Sequence, residues 1–288
     1  MPRVGIVGAG PVGIALGLAI SRAGWPVTAV ASRDAGRRDA FRGLISGARA
    51  FLEPEAMLDE VDLLILTVPD DAIAEVAARL RLYSGQTLLH TSGLLDADVL
   101  APALSAGSHV GTFHPLVSFT GDAERAVVGL QGATIAIEGD DAVLGLLADM
   151  AVAIGGVPVR LPHGTKPAYH AAAVLASGGL IALLDAVATL GAVAGLDEEG
   201  SVTVYGRLIE QTLANARAIG IGPALTGPIT RGDAGTVEAH IQVLAVYAPD
   251  VLDLYRAAAR RELGIVEERR TLSPDRLERV RAALAKVV

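Results

Sequence analysis

The stretch GIVGAGPVGIALG, residues 5–17, sets Gly8, Gly10 and Gly13 between a short apolar run and a longer one. That is the pattern G-x-G-x-x-G, and its position predicts a strand before it and a helix after it. Each glycine has its own reason. Gly8 permits the tight strand-to-helix turn, Gly10 lets backbone approach a pyrophosphate, and Gly13 lets the helix pack closely on the strand. Pro11 suits the first helical position, which needs no N–H, and Val12 follows it into the first turn. The free amides of that turn then face an anion. The segment is read as a dinucleotide-binding turn.

The end of the next β-rich run selects the nucleotide. An NAD site places Asp or Glu about 20 residues beyond the glycines, where it holds the ribose 2′-hydroxyl. Ala31-Ser32-Arg33 stands there instead. Arg33 can pair with a 2′-phosphate and Ser32 can hydrogen-bond to it, with Arg37 and Arg38 close in sequence, so NADP is the expected cofactor. Asp34, one position later, keeps NAD as the alternative and otherwise serves as a helix cap. Val68-Pro69 and Ser92, which close two later strands, complete the expected cofactor contacts.

Outward from the turn, short β-rich runs alternate with helical ones. Strands are expected at Arg3–Gly8, Pro26–Ala31, Val61–Val68, Gln86–His90, Val110–Phe113, Thr134–Glu138 and Val157–Leu161. Helices are expected at Pro11–Ala23, Ala35–Ile45, Asp71–Leu82 and Asp141–Ile154. This is the signature of parallel βαβ units. After Pro162-His163-Gly164 the pattern turns helical: Lys166–Leu196, Glu198–Ala218, Thr236–Tyr247, Pro249–Leu263 and Pro274–Val287. The expected class is α/β, a Rossmann-type parallel-sheet domain over 1–161 followed by an all-helical domain over 162–288.

Composition narrows the partners. The 288 residues are 51% hydrophobic and 3% aromatic, with 33 glycines, which describes a globular chain built on Ala, Val and Leu. Lys plus Arg number 24 against 32 Asp plus Glu, a net charge of −8, so nucleic acid is an unsuitable partner. With no cysteine there is no disulfide, thiolate catalysis or thiolate-bound metal. No metal site is read, and the expected compartment is the cytoplasm. The run Val4–Ile20 has the position of a signal peptide, but its central glycines and proline fit the nucleotide turn better. Ala171–Leu196 is apolar enough to suggest a membrane span. Asp185 near its centre would cost about 2.5–3.5 kcal/mol in a bilayer, so the expectation is a helix buried between domains or subunits, and a homodimer.

Three clusters could carry chemistry. His90-Thr91-Ser92-Gly93 and Gly111-Thr112-Phe113-His114-Pro115 end neighbouring strands, where ligands of open parallel sheets sit. Ser92 and Gly93 are expected at substrate, and His114 is a candidate proton carrier. His90 and His109 are read as structural, and Asp70 as a helix cap. Lys166 and His170 share a helix face beside Tyr169, and either can supply a proton to a carbonyl during hydride transfer. Arg231, in Gly227-Pro228-Ile229-Thr230-Arg231-Gly232-Asp233, can clamp a substrate carboxylate, with Asp233 as a cap.

The order of glycine turn, TVPDDAI, HTSG, GTFHPL, KPAYHAAAVLAS and GPITRGD resembles the Rossmann-like proteins carrying a DUF2520 helical domain, over essentially the whole chain. These resemble in turn the 6-phosphogluconate dehydrogenase, β-hydroxyacid dehydrogenase and pyrroline-5-carboxylate reductase group. The β-hydroxyacid dehydrogenases hold substrate with a Lys-x-x-x-Asn pair, for which Lys166 and His170 stand here, and their Ser-Gly pair matches Ser92-Gly93. The His-Pro after the next strand is similar to that of prephenate and arogenate dehydrogenases. His170 replaces the family's asparagine, and Gly178-Gly179 falls where relatives carry another. The resemblance implies an NADP-dependent oxidoreductase acting on a small carboxylate-bearing ketone or alcohol, such as the 2-oxo acid ketopantoate. A cyclic imine is the alternative substrate, and a non-catalytic NADP-binding regulator is the alternative class.

Overall fold

The computed structural model describes residues 1–286. The first strand, β1 (Val4–Val7), is buried along its whole length and leads through Gly8–Gly10 into α1 (Pro11–Arg22). There follow β2 (Val27–Ala31), α2 (Ala35–Leu44), β3 (Arg49–Phe51), a 3-10 turn at Pro54–Glu60 and β4 (Leu63–Leu66). Next come α3 (Asp70–Arg79), β5 (Thr87–His90), a second 3-10 helix at Ala97–Ala103 and β6 (His109–Pro115). The unit is completed by α4 (Ala123–Leu130), β7 (Thr134–Gly139), α5 (Asp141–Ala153), β8 (Val157–Arg160) and α6 (Lys166–Ala176). The strands form one sheet in the order β3-β2-β1-β4-β5-β6-β7-β8.

From β3 to β6 every pairing is parallel, as the alternation predicts, and the carboxyl ends of these strands share one edge. β7 runs antiparallel to β6, with Thr112 opposite Glu138, and β8 runs parallel to β7. Hydrophobic patterning marks β7 as a strand but carries no information about its direction.

Both faces of the sheet are covered, and the strand sequences show why. In Leu63-Leu64-Ile65-Leu66, Leu63 and Ile65 enter a core with Leu16, Phe41 and Phe113, while Leu64 and Leu66 enter a second core with Ile73, Leu88 and Leu100. A strand buried on both sides has no polar face to alternate with. The short β3 and the 3-10 segments carry too little periodic signal to be expected from sequence.

The chain divides into two compact units, Met1–Ser177 and Gly178–Val288, which leaves α6 with the sheet. The long helix expected over Lys166–Leu196 is therefore two, α6 and α7 (Gly178–Val193), parted at Ser177, whose φ of −112° and ψ of −81° are not helical. Two successive glycines each lower helix propensity by about 1 kcal/mol, so the break falls there. Residues 166–193 together are long and apolar enough to cross a membrane by composition, with mean hydropathy 2.0.

The second unit continues with α8 (Glu198–Ile219), α9 (Ile221–Ala224), α10 (Pro228–Arg231), α11 (Ala234–Tyr247), α12 (Pro249–Arg269) and α13 (Pro274–Ala285). Its core gathers Ile229, Val237, Ile241, Leu263, Val280 and Leu284. α12 runs past the expected end at Leu263 and stops at Arg270, which is left-handed at φ 53°. The expected last helical residue, Val287, lies outside the described residues.

Candidate active site

The glycine turn has the geometry its spacing predicts. Gly8 sits at φ 104°, and Gly13 approaches it so closely that a Cβ there would lie 2.0 Å from the Gly8 carbonyl oxygen. The Thr67 hydroxyl, at the end of β4, donates to that same oxygen at 2.6 Å and ties the turn to the neighbouring strand. Gly10 is the N-cap of α1 and offers no side chain to its amides. A Cβ at Gly10 would meet nothing nearer than the Arg37 guanidinium, at 4.0 Å. Open backbone, unsatisfied helix amides and a nearby cation suit a pyrophosphate, so the residues present fit a dinucleotide.

At the end of β2, Asp34 caps α2 by accepting the Arg37 amide at 3.0 Å, which uses the carboxylate that an NAD reading needs. The Arg37 guanidinium lies 3.6 Å from that carboxylate, and Arg38 hydrogen-bonds to the Ser32 carbonyl. Arg33 is exposed and makes no ion pair among the described residues. Three guanidinium groups within six residues suit an additional phosphate.

Further along the same sheet edge, the turn after β5 is built from buried polar groups. The Ser92 hydroxyl donates to Asp70 at 2.8 Å and accepts the amides of Leu94 and Leu95, each at 3.0 Å. It is thus fully engaged, and a ligand would meet the backbone of this turn rather than the expected hydroxyl. Asp70 is not the helix cap expected of it. Pro69 holds that place, and Asp70 anchors Ser92. His90 is structural, as expected. Its Nδ1 accepts the Ser92 amide and its Nε2 donates to the Asp96 carbonyl, and burial depresses its pKa to about 4.

Lys166, the first residue of α6, is fully buried, and its Nζ donates to the Ser92 carbonyl at 2.6 Å. Burial lowers its pKa to about 8, opposed by the fields of Glu138, Asp96 and Asp70. The sequence reading put this ammonium at a substrate carbonyl. The structure gives it a protein carbonyl, because the lysine lies under the turn, where no solvent reaches it. A charged donor of this kind contributes about 1.5–3 kcal/mol, and here it clamps α6 to the Ser92-Gly93 turn.

Above that turn three rings meet. His114 Nδ1 lies 3.0 Å from the Tyr169 hydroxyl, and the two rings stand edge to face. His170 stands perpendicular to His114, with centroids 5.8 Å apart. Gly93 lies beneath both: a Cβ there would fall 2.3 Å from His170 Nδ1 and 2.8 Å from His114 Nε2. Only glycine fits. Burial, then the nearby Lys166, lowers the His114 pKa to about 4, and burial raises that of Tyr169. His170 Nδ1 is buried with no hydrogen-bond partner among the described residues.

Lys166, His170, His114, Ser92 and Gly93 therefore come together as expected, with Lys166 closed off from solvent beneath the turn and the imidazoles above it. Arg231 ends α10 in the second unit, where its side chain is exposed and its carbonyl accepts from Arg276. Asp233 caps α11, as expected, through the Thr236 amide. Sequence reasoning left Tyr169 without a role and missed Thr67. Tyr169 stood between two candidates on one helix start, and that was the available signal.

Residues 2–115 match the Rossmann-like domain, and residues 133–262 match a domain of unknown function, DUF2520, so the chain carries both. Protein TM1727 of Thermotoga maritima is 25% identical with a TM-score of 0.69, over 93% of this chain and 99% of that one. A provisionally assigned NADP oxidoreductase of Bacteroides fragilis, BF3122, is 22% identical with a TM-score of 0.74, over 91% and 97%. Plasmodium falciparum pyrroline carboxylate reductase, solved with NADP bound, is 12% identical with a TM-score of 0.61, over 99% and 98%. No curated protein matches the chain in sequence.

Proposed function

Because the chain carries a Rossmann-like domain and a DUF2520 domain, we propose that it is an NADP-dependent oxidoreductase that reduces a small carboxylate-bearing ketone or oxidises the matching alcohol. The observation that carries this reading is the open cradle at Gly10, with the Arg33, Arg37 and Arg38 guanidinium groups around the end of β2. Gly8, Gly10, Pro11, Val12 and Gly13 would hold the pyrophosphate, and Ser32 and Arg33 the 2′-phosphate. Val68 and Pro69 border the same sheet edge. The NADP-bound Plasmodium reductase supports the cofactor choice by likeness of fold.

Bound there, the nicotinamide supplies or accepts the hydride. The chain supplies the proton. With its pKa near 4, His114 is neutral at physiological pH and carries one ring proton. If that proton is on Nε2, Tyr169 donates to Nδ1, and Nε2–H is left as a donor on the Gly93 side. As Nε2 releases its proton to a substrate oxygen, Nδ1 takes that of Tyr169, and the imidazole stays uncharged throughout. Solvent then protonates Nε2 while Nδ1 returns its proton to the phenolate, which restores the starting tautomer. His170 orients the substrate, and Lys166 and Asp70 hold the turn that seats it.

A second substrate reading, a cyclic imine, is favoured by the neutral His114 ring. A protonated imine brings its own proton and is not repelled by neutral rings. Kinetics with NADPH on a panel of 2-oxo acids and cyclic imines decides between them. The reading expects turnover of the oxo acids that falls by about 10²–10⁴-fold in His114→Gln and Tyr169→Phe with the NADPH Kd unchanged. Turnover of imines alone, indifferent to Tyr169→Phe, selects the second reading. Tight NADPH binding without turnover of either class leaves a non-catalytic NADP-binding protein.

A further inference from the structure

On the other side of Lys166 lies a group of side chains that the proposed reaction does not use. Asp96 follows β5, Glu138 ends β7, and His163 stands in the turn between β8 and α6. One ligand atom from each falls within 4.8 Å of the other two. His163 Nδ1 is 3.0 Å from Glu138 Oε1, and Asp98 adds a carboxylate 3.6 Å from His163 Nε2. The group opens on a surface cleft of about 320 Å³ lined by Asp98, Glu138, Asp140, His163 and Arg160, whose guanidinium pairs with Asp141.

A cluster of carboxylates on a surface needs no ion. Here, however, the Glu138 side chain is only 9% exposed, and its Oε2 is buried with no hydrogen-bond partner among the described residues. Asp96 Oδ1 is buried and unpartnered as well. A buried carboxylate oxygen without a donor is costly, and two of them belong to residues whose ligand atoms gather with the His163 imidazole within 4.8 Å, which points to a missing cation. Lys166 Nζ donates to Ser92 and makes no hydrogen bond to either oxygen.

We propose that Asp96, Glu138 and His163 form a mononuclear site for a first-row divalent metal ion of the zinc class, with Asp98 at its rim. Two carboxylate oxygens and an imidazole nitrogen suit such an ion better than Mg²⁺ or Ca²⁺, which prefer oxygen alone. Ligand atoms around zinc lie about 2.0–2.2 Å from the metal, so binding draws the exposed His163 inward. The ion joins three segments that are distant in sequence. Because His163 stands three residues before Lys166, it also fixes the approach of α6, and with it Tyr169 and His170, to the sheet. Its role is to position α6, and it contacts none of the rings around Gly93.

The test uses the whole chain, stripped with a chelator and titrated with Co²⁺, followed by its visible absorption and by calorimetry. One equivalent should bind with a Kd of about 1 μM or tighter, be displaced by Zn²⁺, and raise the unfolding temperature. Loss of a ligand should exceed the about 10–100-fold effect of an outer partner, so Glu138→Gln and His163→Gln should each weaken binding by more than about 100-fold. His163 is exposed, so His163→Gln reports even if Glu138→Gln does not fold. His109→Gln, on the pair His109–Asp140 at the same cleft, should bind as the wild type does. No stoichiometric binding, or binding that survives His163→Gln, overturns the site.

Discussion

A methyl group at position 93 would sit 2.3 Å from one imidazole nitrogen and 2.8 Å from another, so this glycine governs how closely His170 and His114 approach the turn. Gly93→Ala should move both rings by about an ångström, which costs a positioned reaction about 10²-fold or more in turnover. Dinucleotide affinity, set at Gly10, should not change, and a binding titration beside the kinetics checks this. His114 makes a second prediction. Its folded pKa of about 4 lies below the unfolded 6.5, so the unfolded chain takes up a proton first as pH falls. Stability from this residue is complete above 6.5 and is lost as pH falls from 6.5 toward 4, by at most about 1.4 kcal/mol per unit. Urea unfolding of wild type and His114→Gln at about pH 7 and about pH 5 should show a larger acid loss in the wild type. An equal loss would refute the neutral imidazole.

Among the elements, the β2–α2 junction and α1 share the dinucleotide cradle. Since Asp34 is committed to capping α2, Arg33 is the group at the end of β2 left to meet a phosphate, and NADPH should bind at least about tenfold more tightly than NADH. Arg33→Asp exchanges attraction for repulsion and should invert that ratio. Equal affinities in the wild type would remove the NADP assignment. In α1, a Cβ at Gly13 meets the Gly8 carbonyl at 2.0 Å, and backbone has no rotamer with which to yield. Gly13→Ala should therefore weaken NADPH binding by lifting α1 from β1, and a lowered unfolding temperature should accompany the loss.

For the whole molecule the open question is what covers α7 and α8. Ile181, Val204 and Leu208 are 64%, 54% and 59% exposed, and the helices that bear them belong to the second unit. We propose that apolar surface of this extent along two helices meets a second copy of the chain, the simplest closed solution. Light scattering at micromolar concentration should give a dimer. Leu208→Glu should shift it toward monomer, whereas cosedimentation with lipid vesicles in place of dimerisation would transfer the face to a membrane.

What the sequence by itself determined lies within short reach along the chain. The turn at Gly8–Gly13, the Pro11 start of α1, the Asp34 and Asp233 caps and the doubly buried β4 follow from steric and hydrogen-bonding demands among near neighbours. The same locality explains why Lys166–Leu196 reads as one apolar helix, although the chain divides at Ser177. The site was legible as a set of residues but not as a set of bonds. Ser92 meets Asp70 across 22 residues, His114 meets Tyr169 across 55, and Lys166 meets Ser92 across 74. Which groups end up paired, and which are left free, depends on strand order and on the burial of Lys166 at the start of α6. Only the tertiary structure could turn Lys166 from a substrate-facing cation into a buried clamp, reverse β7, and bring Asp96, Glu138 and His163 together, because side-chain chemistry is set by what lies across the fold and propensity by what lies beside it.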